Sequence, residues 1–229
     1  MLPEADIVVF LTQDAILADP SAISHLISNF SDETVGAVYG RQLPHQGASK
    51  IGRFARLFNY PEKSRIKSLA DAPELGIKTA FMSNSFAAYR RSALLEAGGF
   101  PPHTIMGEDT YVAAKMLLAG WKVAYNADAA VFHSHDYSFL EEFRRYFDTG
   151  VFHAEEPWIR ERFGIAETEG KRYVRSEFTY LLGEAPWLIP SAILRTFLKF
   201  LGYRLGMLEA YLPKILKKSY LTMNKNYWK

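Results

Sequence analysis

The sequence predicts an α/β fold, in which strands alternate with helices. Residues 6–11 are a run of β-branched and apolar residues followed by the polar segment 12–14, which is typical of a buried strand. Residues 21–30 are predicted to form a helix, and residues 35–39 a second strand. Such alternation is typical of layered β/α proteins, which place their binding sites at the ends of strands.

The rest of the chain continues this pattern. Further elements are predicted, in chain order, as a helix (51–58), a strand-like region (79–90), a short helix (91–97), a helix (110–119) and two strands (122–126 and 130–133). Ser138 and Glu141 form a capping box that opens another helix. We therefore expect a partial α/β domain over residues 1–155 and a helical, basic region over residues 156–229.

Composition narrows the classes of protein. The chain has 229 residues, 48% of them hydrophobic and 14% aromatic, which predicts a buried core and excludes a disordered chain. It has no cysteine, so a metal would need carboxylate, imidazole or carbonyl ligands. Residues 1–6 do not resemble a secretory signal, and no apolar run is long enough to span a bilayer. A cytoplasmic location is the expectation.

Charge is concentrated in the C-terminal tail, defined as residues 191–229. The tail holds eight Lys and Arg residues against Glu209 alone, which gives it a charge of +7. The net charge of the whole chain is +2, so the residues before the tail carry a net charge of −5. Leucines recur there at helical spacing, at positions 194, 198, 201, 205, 208 and 212. This pattern fits an amphipathic helix on an anionic membrane surface, or equally a helix that docks on the core. No nucleic-acid motif is present, so nucleic acid is not an expected partner.

Three polar clusters could carry chemistry, and each lies where an element begins or ends. They contain Thr12 with Asp14, Glu108 with Asp109, and His133 with His135. Each also has a structural interpretation. Asp14 could stabilise a turn, Asp109 could be the N-cap of the following helix, and a single histidine is more often structural than a ligand.

The order of these clusters resembles that of family-2 glycosyltransferases of the GT-A fold. The matching segments, in order, are FLTQDA (10–15), YRR (89–91), GGF (98–100), GEDT (107–110), AGW (119–121) and AVFH (130–133). Together they are far more specific than any one segment. The resemblance implies the C-terminal portion of a GT-A, Rossmann-like fold, followed by amphipathic helices.

Other details resemble bacterial rhamnosyltransferases within that family. They are the Thr-Gln-Asp of residues 12–14, the HSHDYS run of residues 133–138 and the end of the tail at residues 223–228. The resemblance implies transfer of rhamnose from dTDP-rhamnose to a lipid-linked saccharide acceptor in surface polysaccharide synthesis.

The same resemblance implies roles for individual residues. Asp14, with His133 or His135, would bind Mg²⁺ or Mn²⁺, and Asp109 would be the catalytic base of an inverting displacement, with Glu108 positioning the acceptor or the base. The expected substrate contacts come from Thr12, Ser83, Asn84 and Arg91.

The sequence departs from the family pattern in two ways. Thr12 stands where the wider family has a first acidic residue, which removes one contact to the ribose or the metal. The strand at residues 6–11 begins near the first residue, so the N-terminal nucleotide-binding part is expected to be absent, and the strand to form an exposed edge prone to self-association. A non-catalytic, membrane-peripheral or partner-binding remnant is therefore one alternative. A metal-dependent hydrolase is a weaker one, because no dense ligand cluster for two metals is present.

Overall fold

A computed structural model of the chain describes residues 5–229. Its centre is a six-stranded sheet in the order β1-β5-β3-β6-β2, with β4 paired to β6. The strands are β1 (Ile7–Leu11), β2 (Ile16–Leu17), β3 (Val35–Leu43), β4 (Arg65–Lys67), β5 (Phe86–Arg90) and β6 (Lys122–Phe132). β3 and β6 are parallel, whereas β5 runs antiparallel to both β1 and β3. The prediction for residues 1–4 lies outside the described range.

Nine helices surround or follow the sheet in the described part of the chain, apart from short 3₁₀ turns and an irregular last helical segment. They are α1 (Ala22–Ser28), α2 (Lys50–Asn59), α3 (Ala72–Leu75), α4 (Arg91–Glu96), α5 (Glu108–Leu118), α6 (Phe139–Glu155), α7 (Pro157–Phe163), α8 (Ala166–Glu184) and α9 (Ile189–Met207). None of the helices in residues 5–229 combines the length and apolar content needed to cross a bilayer.

The sheet is covered on both faces because side chains of a strand alternate in direction. On β3, Val38 packs with α1 through Leu26, whereas Tyr39 packs on the opposite face with α5 residues such as Val112. All four side chains are buried. This confirms the predicted α/β layers.

Several predicted boundaries were wrong. The strand-like region 79–90 is a strand only from Phe86, because residues 76–79 form a 3₁₀ turn and residues 80–85 a loop. The two strands predicted at residues 122–133 are one strand, β6, whose register shifts opposite Gly40. Asp109 is not an N-cap: α5 begins at Glu108, after Gly107 in the left-handed region at φ 76°. The capping box of Ser138 and Glu141 is confirmed.

The strand predicted at residues 6–11 forms, as β1, the exposed sheet edge that was also expected, and it is only partly buried. Among the described residues β1 pairs with β5 alone, and Val9 and Leu11 are 39% and 46% exposed. An edge strand leaves backbone groups unpaired, which is the arrangement that favours association.

The C-terminal helix α9 packs closely along α6. The contact is made by Gly150 on α6 and by Gly202 and Gly206 on α9, and a methyl group on any of them would lie within 2.3 Å of a backbone oxygen of the other helix. Glycine is required here because no side chain fits between the two backbones.

The leucines of the tail do not lie together on one face of a helix, as their spacing predicts. Leu205 and Leu212 pack on the core, whereas Leu194 and Leu201 are exposed. Its basic residues also point inward in part, since Arg195 lies 3.2 Å from Glu142 of α6 and Lys199 3.6 Å from the same carboxylate. The charge of +7 is therefore not all available to a partner.

Candidate active site

All the predicted site residues except Arg91 come together, because four strand ends lie at one end of the sheet. Leu11 pairs with Phe86, and Leu43 with Phe132, so the segments that follow or precede them are neighbours. The N-terminal end of α5 lies against the same end of the sheet. Between these segments and the C-terminal helices lies an open cleft of about 2250 Å³.

One wall of the cleft holds a cluster of Asp14, His133 and His135. The Nε2 atoms of His133 and His135 lie 3.3 Å and 3.7 Å from Oδ2 of Asp14, and one ligand atom from each residue falls within 4.8 Å of the others. One carboxylate and two imidazoles form a donor set that suits a divalent cation. The residues therefore fit the metal that the sequence predicts.

Electrostatics keep this cluster in its ligand form at neutral pH. Burial lowers the pKa of His133 to about 4, and burial together with the charge of Arg56 lowers the pKa of His135. Burial acts to raise the pKa of Asp14, but the Thr12 hydroxyl and the histidines outweigh it and hold that pKa below its ordinary value. Two neutral imidazoles thus lie beside one carboxylate.

Gln42, which sequence reasoning missed, fixes the orientation of His133. Its Oε1 lies 2.9 Å from Nδ1 of His133 and also accepts a hydrogen bond from Arg56, while its Nε2 donates to Ser83 at 2.8 Å. Because that oxygen can only accept, Nδ1 of His133 must carry the proton. The lone pair of Nε2 then faces Asp14, as a metal ligand requires.

The second wall of the cleft holds Asp109 in the first turn of α5. Its two carboxylate oxygens accept backbone hydrogen bonds, from Asn84 at 3.1 Å and from Thr110 at 2.7 Å. Burial, reinforced by the neighbouring Glu108, raises the pKa of Asp109 to about 6. A carboxylate that is held in place and has a raised pKa can act as a base at neutral pH.

Comparisons with known proteins show the family of the chain. Residues 3–148 match the family described as glycosyltransferase like family 2. The chain is 58% identical over 225 residues to the O-antigen chain rhamnosyltransferase RfbN of Salmonella typhimurium (strain LT2), and 55% identical to the O-antigen chain rhamnosyltransferase WbaN of Salmonella anatum. The chain belongs to glycosyltransferase family 2. Both alignments cover 98% of this glycosyltransferase and 71% of the relative.

Among solved structures, the glycosyltransferase is similar to the mannosyltransferase PcManGT from Pyrobaculum calidifontis in complex with GDP-Man and Mn²⁺. The identity is 21% and the TM-score 0.47, and the match covers 97% of this chain and 60% of the other. The predicted family and its mixed α/β, GT-A-like fold are confirmed.

The predicted substrate contacts of the glycosyltransferase do not all lie together. Thr12, Ser83 and Asn84 line the cleft. The Asn84 side chain accepts a hydrogen bond from Tyr89 at 2.7 Å, so much of its bonding capacity holds the loop beside Asp109. Arg91 is outside the cleft, because it follows β5 at the far end of the sheet, where its backbone N–H donates to the carbonyl of Asp6.

Arg145 on α6 is a further cleft residue that the sequence did not single out. It is exposed and lines the cleft, and in the part of the chain that the structure describes its side chain has no ion pair. Its charge acts to lower the pKa values of both Asp109 and His135. The adjacent Arg144 instead donates to the carbonyl of Tyr220. Arg145 is therefore a cation without an ion pair in the described residues that lines the same cleft as Asp109 and the Asp14 cluster.

Proposed function

We propose that this glycosyltransferase transfers rhamnose from dTDP-rhamnose to a lipid-linked saccharide acceptor in O-antigen synthesis. Two relatives named O-antigen chain rhamnosyltransferases support this, since each matches 98% of the chain at 55% identity or more. The observation that carries the proposal is the pairing of Asp109 on one wall with Asp14 and the two histidines on the other, across one cleft.

In this proposal Asp109 accepts the proton of the acceptor hydroxyl. The oxygen attacks the anomeric carbon, the bond from that carbon to the diphosphate oxygen breaks, and the configuration inverts. The backbone N–H groups of Asn84 and Thr110 keep the carboxylate in position through the step. Glu108, beside it, would hold the acceptor.

Charge on the departing diphosphate would be balanced from the other wall. Asp14, His133 and His135 would hold a divalent cation, which when bound would neutralise the diphosphate. Two imidazole ligands favour Mn²⁺ over Mg²⁺, because Mg²⁺ prefers an all-oxygen shell. Arg145 would supply a second positive charge, and the hydroxyls of Thr12 and Ser83 would contact the donor.

The proposal is tested by supplying the purified chain with Mn²⁺, a polyprenyl-diphosphate saccharide and one labelled donor at a time. Transfer from dTDP-rhamnose in preference to GDP-mannose and UDP-glucose is expected, with an acceptor product heavier by one deoxyhexose in mass spectrometry. Transfer from another donor would overturn the assignment of rhamnose. A folded chain that binds no donor and transfers no sugar would overturn the proposed activity.

A further inference from the structure

Helices α8 and α9 expose an apolar surface at the border of the cleft, here called the α8–α9 face. Its residues are Val174, Phe178, Leu182, Ile193, Phe197 and Phe200. Phe197 and Phe200 are 57% and 60% exposed, and Trp187 in the turn between the helices is 74% exposed. Large clustered apolar residues on a surface mark an interaction site more often than isolated ones do.

The spacing of these residues puts them on one side of each helix. On α8 they recur every four residues, and on α9 they occupy positions 193, 197 and 200. The opposite sides serve the fold: Tyr173 and Tyr180 of α8 contact Phe54 of α2, and the glycines of α9 contact α6. The α8–α9 face is therefore not required to close the core.

The charges around the α8–α9 face are unbalanced toward positive. Acidic residues of this region are neutralised by ion pairs at 2.8 to 3.1 Å: Glu184 with Lys50, Glu169 with Lys78, and Glu167 with Arg160. Within residues 5–229, Lys171, Arg175 and Arg204 are exposed and have no ion pair. An apolar surface with free cations at its border matches an anionic lipid headgroup layer.

We propose that the α8–α9 face binds the surface of a bilayer that contains anionic phospholipid. The phenylalanines would enter the boundary between headgroups and acyl chains, while Lys171 and Arg175 would contact lipid phosphates. Two copies of this chain fit the face less well, because pairing it with itself would bring like charges together.

The same face leads into the cleft. Val174, Phe178, Phe197 and Phe200 belong to the cleft wall that continues inward to Asp109. A chain bound through this face would have the mouth of its cleft at the level of the lipid headgroups. This placement goes beyond the proposed transfer reaction and does not depend on which sugar is transferred.

The test is co-sedimentation of the full chain with vesicles, without nucleotide or metal. Binding is expected to vesicles of phosphatidylcholine with phosphatidylglycerol, and to be weakened at least about tenfold by the double substitution Phe197→Ser and Phe200→Ser. The double substitution Lys171→Ala with Arg175→Ala is expected to weaken binding to these anionic vesicles by about tenfold or more. Its effect on binding to vesicles of pure phosphatidylcholine should be smaller. The matched control is Leu95→Ser with Leu118→Ser, which removes exposed apolar residues of α4 and α5 and should leave binding unchanged.

Two outcomes would overturn the proposal. One is vesicle binding that the phenylalanine and cation variants retain while their melting temperatures match the parent chain. The other is a dimer in sedimentation velocity that the phenylalanine variant dissociates, together with no binding to either vesicle, which would assign the face to a second copy of the chain.

Discussion

At the scale of single residues, the hydrogen bonds of His133 determine what its ring can bind. The Oε1 atom of Gln42 accepts a hydrogen bond from Arg56 and lies against Nδ1 of His133. The proton of His133 is therefore held on Nδ1, and Nε2 keeps its lone pair. Gln42 lies 91 residues from His133 in the chain, so no local pattern could have predicted the contact. The histidines and acidic residues were predictable because they follow or precede elements that the sequence shows directly.

Replacing Gln42 should therefore weaken metal binding without touching a ligand. In Gln42→Leu, the Nδ1–H group of His133 and one N–H group of Arg56 lose their acceptor. We expect the affinity for Mn²⁺ to fall by about 10- to 100-fold. Gln42→Glu keeps an acceptor at the same place and should retain most of the affinity. Isothermal titration with Mn²⁺ alone measures both, and equal affinities for the two variants would contradict this role.

Asp109 should also determine the pH dependence of transfer. The pKa of its carboxyl group is about 6. Its neighbours are Glu108, Arg145, the hydroxyl of Tyr89 and the backbone amides of residues 84 and 110. Since a base must be unprotonated, kcat/KM should fall by about tenfold for each pH unit below 6 and be level above it.

The neighbours of Asp109 provide the control for this profile. Removing the negative charge in Glu108→Gln should move the inflection to lower pH, and removing the positive charge in Arg145→Ala should move it to higher pH. A profile that is unchanged in both variants would mean that another group titrates.

At the scale of elements, helices and strands were predicted more reliably than their contacts. The helix at α6 follows from its capping box, and β1 and β3 follow from their apolar runs. The close contact of α6 with α9 depends on glycines that are distant in the chain, and glycine alone does not indicate a helix contact. Arg91 lies outside the cleft because its place after β5, at the start of α4, rather than its residue type, decides which end of the sheet it reaches.

The contact between α6 and α9 gives a prediction for stability. A Cβ at Gly206 would lie 2.1 Å from the carbonyl oxygen of Phe147, so Gly206→Ala should lower the free energy of unfolding by about 3 kcal/mol. Gly183 is the control because it is also helical but has open space around it, and Gly183→Ala should raise stability by up to about 1 kcal/mol. Urea denaturation of both variants measures these changes, and equal effects would show that α9 does not pack as described.

At the scale of the whole molecule, the chain arranges Asp109, the cluster of Asp14 with two histidines, and an apolar rim around one cleft. The sequence predicted an anionic partner from the charge of its tail, but Arg195, Lys199 and Lys217 pair with carboxylates of the chain itself. Among the described residues, cations without an ion pair remain in the tail, such as Arg204 on α9, but they also lie on α8, where Lys171 precedes the tail. The net charge of the sequence indicated that the C-terminal part of the chain is basic. Only the fold shows which of its charges form internal ion pairs and which are available to a partner.

The central claim is that Asp109 is the base of a sugar transfer, and the most direct test is the turnover of Asp109→Asn with dTDP-rhamnose and a saccharide acceptor. The expected result is a loss of transfer of about 10²- to 10⁴-fold with unchanged donor binding, because the amide cannot take the proton. As a control, Asp19→Asn changes a half-buried carboxylate that does not line the cleft, and it should transfer normally. Turnover of Asp109→Asn within a few-fold of the parent chain would contradict the claim.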